Sequence, residues 1–284
     1  MYNINSYEYT SYDRIVVIGD IHGDLKRFKN ILINAKIINN NLEWIAVPSN
    51  TIVIQMGDQI DSLNRSNEIK EWEKIKDIEM LYFTNSLDNL AKIKGGRLLS
   101  LIGNHELMNI LGNFSYVSQN SNYINRHNGF KPNGELSNIL ANRPLVVKIN
   151  DLLFCHAGIK KNHIDILLKY NKDISYINEL WNKFVLLNKV KIEDKEIFDN
   201  IILDSSDGIL WTRDINENEL EYVLNNNKCS YMFIGHNTVD KVTLYKNKLW
   251  LTDTGISRAY GKENYQYIDI SNNNISIKEI NDNI

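Results

Sequence analysis

Cysteine is nearly absent: Cys155 and Cys229 are the only two. Each lies beside or within an apolar run, so both read as reduced, buried core thiols rather than as the halves of a disulfide. Proline is scarce too, with three in 284 residues. Asparagine, isoleucine and lysine are abundant instead, in "IINNN", "NENELEYVLNNNK" and "DISNNNISIKEI". AT-rich coding DNA produces this bias, and the segments read as solvated turns and not prion-like tracts. No sign of charge dominates: 32 Lys and Arg stand against 35 Asp and Glu, for a formal net charge of −3 and a pI of about 6.1. That excludes a field able to hold nucleic acid or an anionic membrane by electrostatics alone, so an anionic ligand has to be caught locally. No stretch reaches the apolar length needed to cross a bilayer. The opening residues, MYNINSYEYTSYDR, lack the basic start and apolar core of a signal peptide, and a cytoplasmic location is the expectation.

What is present suits a soluble globular protein, with 43% apolar and 24% charged residues and ample material for a core. The length is ordinary for one large α/β domain carrying an insertion, so residues 1–284 read as a single domain. Apolar runs recur, each stopping at a short polar loop. Arg14–Ile18 reads as a buried strand running into GDIHGD, and an amphipathic helix follows from about Leu25 to Ile37 with Asp24 as its N-cap. Thr51–Met56 is a second strand, ending in GDQID. A long helix is expected from about Asn67 to Lys94, with Trp72, Ile75, Leu81, Leu87 and Leu90 among its apolar positions, and Gly95-Gly96 stopping it. Arg97–Ile102 is a third strand, ending in GNHE. Residues 107–142 read as a loop-and-helix insertion beside the site, serving as a lid or substrate wall. PLVVKINDLLFCHAG reads as two strands flanking a turn at Asn150-Asp151. Residues 160–228 are mostly helical, interrupted by DGILWTRD. CSYMFIGHN, VTLYKNKLWLTD and YQYIDISNNNISIKEI supply the remaining strands.

Five strand ends carry residues that bind hard or borderline metals: Asp20 with His22, then Asp58, Asn104, His156 and His236. In open α/β sheets ligands bind beyond the strand C-termini, so these loops should converge. Carboxylate, imidazole and amide oxygen together suit manganese, iron or zinc better than calcium or a structural zinc, and a site this rich can hold two ions. Four of the six histidines, His22, His105, His156 and His236, fall in these loops. His127 and His163 read as structural. Glycines at 19, 23, 57, 103 and 235 let the backbone turn sharply beside the ligands.

GDIHGD, GDQID, GNHE, CHAG and IGHN, in this order, resemble the motifs of the calcineurin-like metallophosphoesterases, in particular the phosphoprotein-phosphatase branch. GGRLLSLIGNHELMNILGNFSYV, RPLVVKINDLLFCHAGI, GILWTRD and DTGISRAYG extend the resemblance to the Shewanella-like protein phosphatases, over roughly residues 13–270. It implies a four-layer α/β/β/α sandwich of two mixed sheets flanked by helices, with a small cap-like insertion. The alternation of strands and helices supports layers from the pattern itself; the second sheet comes from the resemblance. It further implies that Asp20 and His22 bind one ion, that Asn104, His156 and His236 bind a second, and that Asp58 bridges. Ions roughly 3.5–4 Å apart share a hydroxide that attacks phosphorus directly. Manganese is the first choice, with iron or zinc as alternatives. His105 would protonate the leaving oxygen, with Asp61 orienting it and keeping it cationic. Arg213 in ILWTRD resembles the arginine that grips phosphate through bidentate bonds, and Asn104 also faces the phosphate.

The chain departs from the family pattern in a small way at Ala157, where many relatives have glycine, and more substantially after GDQID. Gly-Asp-x-x-Asp usually continues Arg-Gly, and here it continues Ser62-Leu63-Asn64-Arg65. Losing one charge-assisted contact costs roughly 1.5–3 kcal/mol, which weakens catalysis without abolishing it. Arg65, three residues on, is the candidate substitute. The expected function is phosphomonoester hydrolysis on phosphoserine/threonine or phosphotyrosine in proteins, or on a small phosphate ester. Dinucleoside polyphosphates or nucleotides are the alternative substrates, and a weakly active phosphopeptide-binding scaffold is the non-enzymatic one. Polynucleotide partners are not expected, because no basic, aromatic-studded stripe occurs; no membrane partner is expected either.

Overall fold

The computed structural model describes residues 8–9, 12–62, 76–118, 125–272 and 274–282. The first half alternates strand and helix: β1 (Glu8–Tyr9), β2 (Arg14–Ile18), α1 (Leu25–Asn34), β3 (Ile52–Gln55), α2 (Lys76–Ile93) and β4 (Arg97–Ser100). Three short helices follow, α3 (Asn104–Ile110), α4 (Arg126–Phe130) and α5 (Glu135–Ala141). The hairpin β5 (Val146–Ile149) and β6 (Leu152–Cys155) precedes α6 (Lys161–Lys169), α7 (Tyr176–Leu187), the short α8 (Lys195–Ile197) and α9 (Glu217–Asn227). The chain ends in β7 (Tyr231–Ile234), β8 (Thr243–Tyr245), β9 (Leu249–Leu251), β10 (Asn264–Ser271) and β11 (Asn274–Asn281).

These strands make two mixed sheets, one in the order β11-β10-β2-β3-β4 and the other β1-β5-β6-β7-β9-β8. Alternation along each strand explains the layering. Ile15 and Val17 of β2, Ile52 and Ile54 of β3, Phe154 of β6 and Phe233 of β7 meet in one cluster between the sheets. Their neighbours Val16, Ile18 and Val53 face the other way, onto Phe28, Leu32, Met80 and Leu87 of α1 and α2. On the opposite face Leu153, Met232 and Ile234 are covered by Leu140, Trp181 and Leu220 of α5, α7 and α9. The result is the expected α/β/β/α sandwich. Strands buried on both faces read as continuous apolar runs, which is why RIVVI and YMFI look as they do.

Several boundaries shift. The first helix is capped as expected, the Asp24 side chain accepting from Arg27 N, but it stops at Asn34, three residues early. The long helix is described from Lys76, so Trp72 and Ile75 lie outside the described residues. Leu90 is a correction: it is 47% exposed, while Leu81, Leu87 and Ala91 are buried. At about 100° per residue Leu90 stands off the stripe that Ala91 carries, and the small Ala91 brings the helix close to the sheet. Cys155 is fully buried, but Cys229 is only half-buried, and its Sγ lies 3.4 Å from the Asn227 carbonyl. It follows the left-handed C-cap of α9 and packs only against the edge of the main core. The two cysteines form no disulfide. Among the described residues no helix is long and apolar enough to cross a membrane.

Within 107–142, Phe130, Leu136 and Leu140 are buried in the main core, and Trp181 Nε1 donates to the Leu140 carbonyl at 2.9 Å. The described part of this segment is therefore anchored in the body of the fold.

His163, on α6, gives the fold a pH dependence. Burial pushes its pKa from the ordinary 6.5 down to about 4, with the Asp207 backbone opposing and the charge of Lys160 adding to the shift. Because the unfolded chain binds the proton first, this contribution is whole above about pH 6.5 and is lost as pH falls toward about 4. His163→Gln is expected to remove about 3 kcal/mol of that acid-side loss, read as the change in denaturation free energy between neutral and acid pH. Parallel pH curves for the two proteins would contradict it.

Candidate active site

β2, β3, β4, β6, β7 and β9 all deliver loops to one pole, since β2-β3-β4 and β6-β7-β9 are each parallel sets. Backbone contacts lock the loops to one another. The Asp58 carbonyl accepts from Ile21 N and His22 N at 3.1 and 2.9 Å. Gln55 Nε2 donates to the carbonyls of Gly19 and Gly57. Two glycines are required by close approach: a Cβ on Gly103 would sit 2.2 Å from Asp58 Oδ1, and one on Gly235 would sit 2.2 Å from Asp20 Oδ1. Four of the residues singled out from the sequence, His22, Asp58, Asp61 and His236, hold left-handed backbone with φ of 45°, 49°, 62° and 56°. Such conformations cost energy and persist where the surroundings over-determine them.

The centre of the pole is one oxygen. Asp58 Oδ2 lies 3.5 Å from His156 Nε2 and 3.9 Å from both His22 Nε2 and His105 Nε2. Two groups with metal-ligand geometry result, His22–Asp58–His105 and Asp58–His156–His236. The tautomers follow from the other ring nitrogens. His22 Nδ1 donates to the Asp61 carbonyl at 3.0 Å, and His156 Nδ1 donates to the Met56 carbonyl at 2.8 Å. His236 Nε2 donates to the Trp211 carbonyl at 3.2 Å. Each leaves its second nitrogen turned toward the pole, the arrangement that backbone carbonyls impose on metal-ligating histidines.

Electrostatics test whether cations fit. Asp20 Oδ2 accepts from His236 N at 3.0 Å, but its Oδ1 is buried without a hydrogen-bond partner. Burial, and then the charges of Asp253 and Asp58, push the Asp20 pKa well above the usual carboxylate range. His156 Nε2 and Asn104 Oδ1 are 2.9 Å apart. Two acceptors that close need positive charge between them, either a proton on His156 or a metal ion. Burial lowers the His156 pKa, but Asp58 more than offsets it and raises it. Burial alone would raise Asp58, yet His156, His105 and His22 hold it well below its usual value. His236 is pushed down to about 3, by burial and then by the charge of His156, so it is neutral and free to ligate. The donor set and the orphaned Asp20 oxygen both fit divalent ions.

His105 stands apart from the other three. Its Nδ1 meets Asp61 Oδ2 at 3.0 Å and its backbone N–H donates to Asp58 Oδ1. Burial pulls its pKa down, but the Asp58 charge and the Asp61 hydrogen bond outweigh that and raise it to about 9. It is thus a cationic, proton-bearing imidazole at neutral pH, suited to general acid chemistry. Arg213 is exposed at the rim, its Nη1 donating to the His236 carbonyl and to Asn237 Oδ1, both at 3.2 Å. Asp207 pairs with Lys160. Arg65 lies outside the described residues. Ser62 is buried, and its Oγ has no hydrogen-bond partner. His127 is on α4 and His163 on α6, and neither belongs to these groups.

Several residues were not foreseen. Glu106, the last letter of GNHE, accepts from Asp58 N, Gln59 N and Gly103 N at 3.0, 2.9 and 2.7 Å and so joins two motif loops. Asp253 follows β9, accepts from Thr238 Oγ1 and Gly255 N, and loads negative charge against Asp20. Arg126, from the insertion, meets Asp61 Oδ1 at 2.6 Å. Tyr116 sets its ring edge-on to His105 at 5.1 Å, and Tyr260 lies 6.2 Å from His22. Glu106, Asp253, Tyr116 and Tyr260 lie within the quoted motif stretches, whereas Arg126 lies outside them and reaches Asp61 only through a long-range contact.

Glu106→Ala leaves three buried N–H groups without an acceptor. At about 1–3 kcal/mol each, chemical denaturation is expected to show a loss on the order of 3–5 kcal/mol, with Glu106→Gln losing less. Unchanged stability in the alanine variant would rule out the cross-linking role.

Comparison with known proteins gives the family and the fold. The family model described as calcineurin-like phosphoesterase matches residues 13–240. The chain is 29% identical over 302 residues to Shewanella-like protein phosphatase 1 of Plasmodium berghei, covering 96% of this chain and 77% of that one. It is 36% identical over 107 residues to Shewanella-like protein phosphatase 2 of Arabidopsis thaliana, covering 38% of this chain and 24% of that one. The crystal structure of a cold-active protein-tyrosine phosphatase of a psychrophilic Shewanella superposes with a TM-score of 0.76 at 22% identity, covering 99% of this chain and 84% of that one. At that identity the likeness concerns the fold.

Proposed function

Since this chain belongs to the calcineurin-like phosphoesterases, a family of metal-dependent phosphoric ester hydrolases, we propose that it removes phosphate from phosphorylated proteins with two ions held around Asp58. The observation that carries this reading is the single carboxylate oxygen, Asp58 Oδ2, common to two ligand groups. Asp20 and His22 would hold one ion and Asn104, His156 and His236 the other, with Asp58 common to the two groups. His105 belongs by distance to the first group, but its Nδ1 bond to Asp61 and raised pKa suit a proton donor better. The oxygen and nitrogen set suits manganese, with iron and zinc as alternatives. When bound, the ions supply a water of lowered pKa and positive charge for the phosphoryl oxygens.

The chain's own groups do the rest. Tautomers fixed by the carbonyls of Asp61, Met56 and Trp211 aim the ligating nitrogens. Asp61 fixes His105, whose Nε2 proton goes to the leaving oxygen as the ester bond breaks. Arg213, tied to the loop of His236, offers its guanidinium to the phosphoryl group. Arg65 is the second candidate for the cation that Ser62 does not supply. Protein phosphoesters are favoured as substrates by the name of the Plasmodium relative, whose similarity spans 96% of this chain. Phosphoserine, phosphothreonine and phosphotyrosine are all candidate phosphoresidues.

Turnover of an aryl phosphate is expected only with added Mn²⁺, to be abolished by chelation, and to fall by more than about 100-fold in Asp58→Asn. Metal-independent turnover, or an Asp58→Asn variant as active as the parent, would overturn the metal-dependent reading, and absence of turnover with any first-row ion would leave a binding scaffold. Comparing phosphoserine/threonine peptides, phosphotyrosine peptides and diadenosine polyphosphates decides the substrate class.

Arg213→Ala is expected to lower kcat/KM by roughly 10–100-fold, the worth of a charge-assisted contact, with metal content unchanged. A variant with unaltered kcat/KM would remove Arg213 from the phosphate site.

A further inference from the structure

Arg126 is separated from Asp61 by 65 residues, yet its Nη2 meets Asp61 Oδ1 at 2.6 Å. All three nitrogens of its guanidinium are committed. Nη1 donates to Asp77 Oδ2 at 2.7 Å and Nε donates to Asn109 Oδ1 at 2.7 Å. Asn109 closes the ring, its Nδ2 donating to Asp61 Oδ2 at 2.9 Å and to the His105 carbonyl at 2.9 Å. Asp61 therefore accepts on one oxygen from Arg126, and on the other from Asn109 and His105. The ion-pair side chains are nearly out of water: Arg126 is 8% exposed and Asp61 0%.

Such a carboxylate has no freedom to rotate. An unpaired buried carboxylate costs several kcal/mol, and charged groups at 0–8% exposure persist when paired and hydrogen-bonded. Only a planar fork reaches three acceptors in three directions, so arginine fits here where lysine does not. The Phe130 ring beneath the guanidinium, 5.2 Å from Cζ to centroid, ties it to the buried part of the insertion.

We propose that Arg126 is a positioning residue: from the insertion, together with Asn109, it holds the Asp61 carboxylate at the angle that keeps the His105 imidazole aimed at the leaving oxygen. This rests on the phosphatase reading above. It gives the 107–142 segment a part in the reaction as a brace for the acid, beyond walling the site.

The test uses the full chain with Mn²⁺ and two esters of different leaving group. A weakened acid hurts esters whose leaving oxygen needs a proton. Arg126→Met is expected to lower kcat on phenyl phosphate by about 10-fold or more while changing kcat on 2,4-dinitrophenyl phosphate less than about threefold, with KM for both little altered. Arg126→Lys should restore part of the phenyl phosphate rate. In the metal-free protein, the His105 Nδ1 proton, followed by NMR, should exchange with solvent faster in Arg126→Met than in the parent. Equal losses on both esters, or no loss, together with an unchanged Nδ1 proton, would overturn the proposal and leave the phosphatase reading standing. A parent protein inactive on both esters would overturn that reading and this one with it. If Arg126→Met does not fold, Asn109→Ala cuts one arm of the ring and keeps the ion pair. It should show the same selectivity at smaller size, and a non-selective effect would again overturn the proposal.

Discussion

Everything at the pole follows from negative charge that the fold has buried there. Asp20, Asp58, Glu106 and Asp253 are each at most 3% exposed, and burial of that kind is tolerated only with compensation. Glu106 is compensated by backbone N–H groups and Asp58 by three imidazoles. Asp253 takes a hydroxyl and an amide. Asp20 keeps one oxygen with no partner among protein atoms. The excess is met most simply by cations from outside, and the neutral tautomers of His22 and His236 are already turned to share them. The buried carboxylates and the ligating nitrogens thus fit cations on electrostatic grounds as well as by family.

The sandwich makes that arrangement affordable. Two sheets packed through Ile15, Val17, Ile54, Phe154 and Phe233 bring parallel strand ends from both layers to one side. Side chains there sit on short loops that backbone hydrogen bonds lock to one another, as a site with sub-ångström demands requires. Left-handed backbone at His22, Asp58, Asp61 and His236 is the local cost. Glycines at 103 and 235 are where carboxylates pass too close for any side chain.

Much of this could be read in the chain because it is local. A buried strand followed by a glycine-rich turn and an oxygen or imidazole donor is a short-range pattern, and Asp20, His22, Asp58, Asn104, His156 and His236 all lie at the pole it indicated. The Asp61–His105 contact was legible only through resemblance, since 44 residues separate the pair. What stayed hidden is non-local or depends on rotation about a helix axis. Arg126 sits in a stretch of weak periodicity and acquires meaning only when α4 docks on α3. Leu90 fitted an apolar pattern but misses the buried stripe by a quarter turn, and Cys229 lies past a helix cap that propensity does not mark. Ser62 suggested a missing clamp; the buried neighbourhood around it instead holds a carboxylate braced by an arginine from elsewhere, with Arg213 at the rim.

The central claim is that Asp58 is shared between two ions. Anomalous diffraction from crystals grown with Mn²⁺, collected on both sides of the manganese edge, tests it most directly. The account predicts two peaks roughly 3.5–4 Å apart, both in contact with Asp58, one beside Asp20 and His22 and the other beside Asn104, His156 and His236. A single peak that leaves Asp58 uncoordinated, or none at saturating metal, would contradict it.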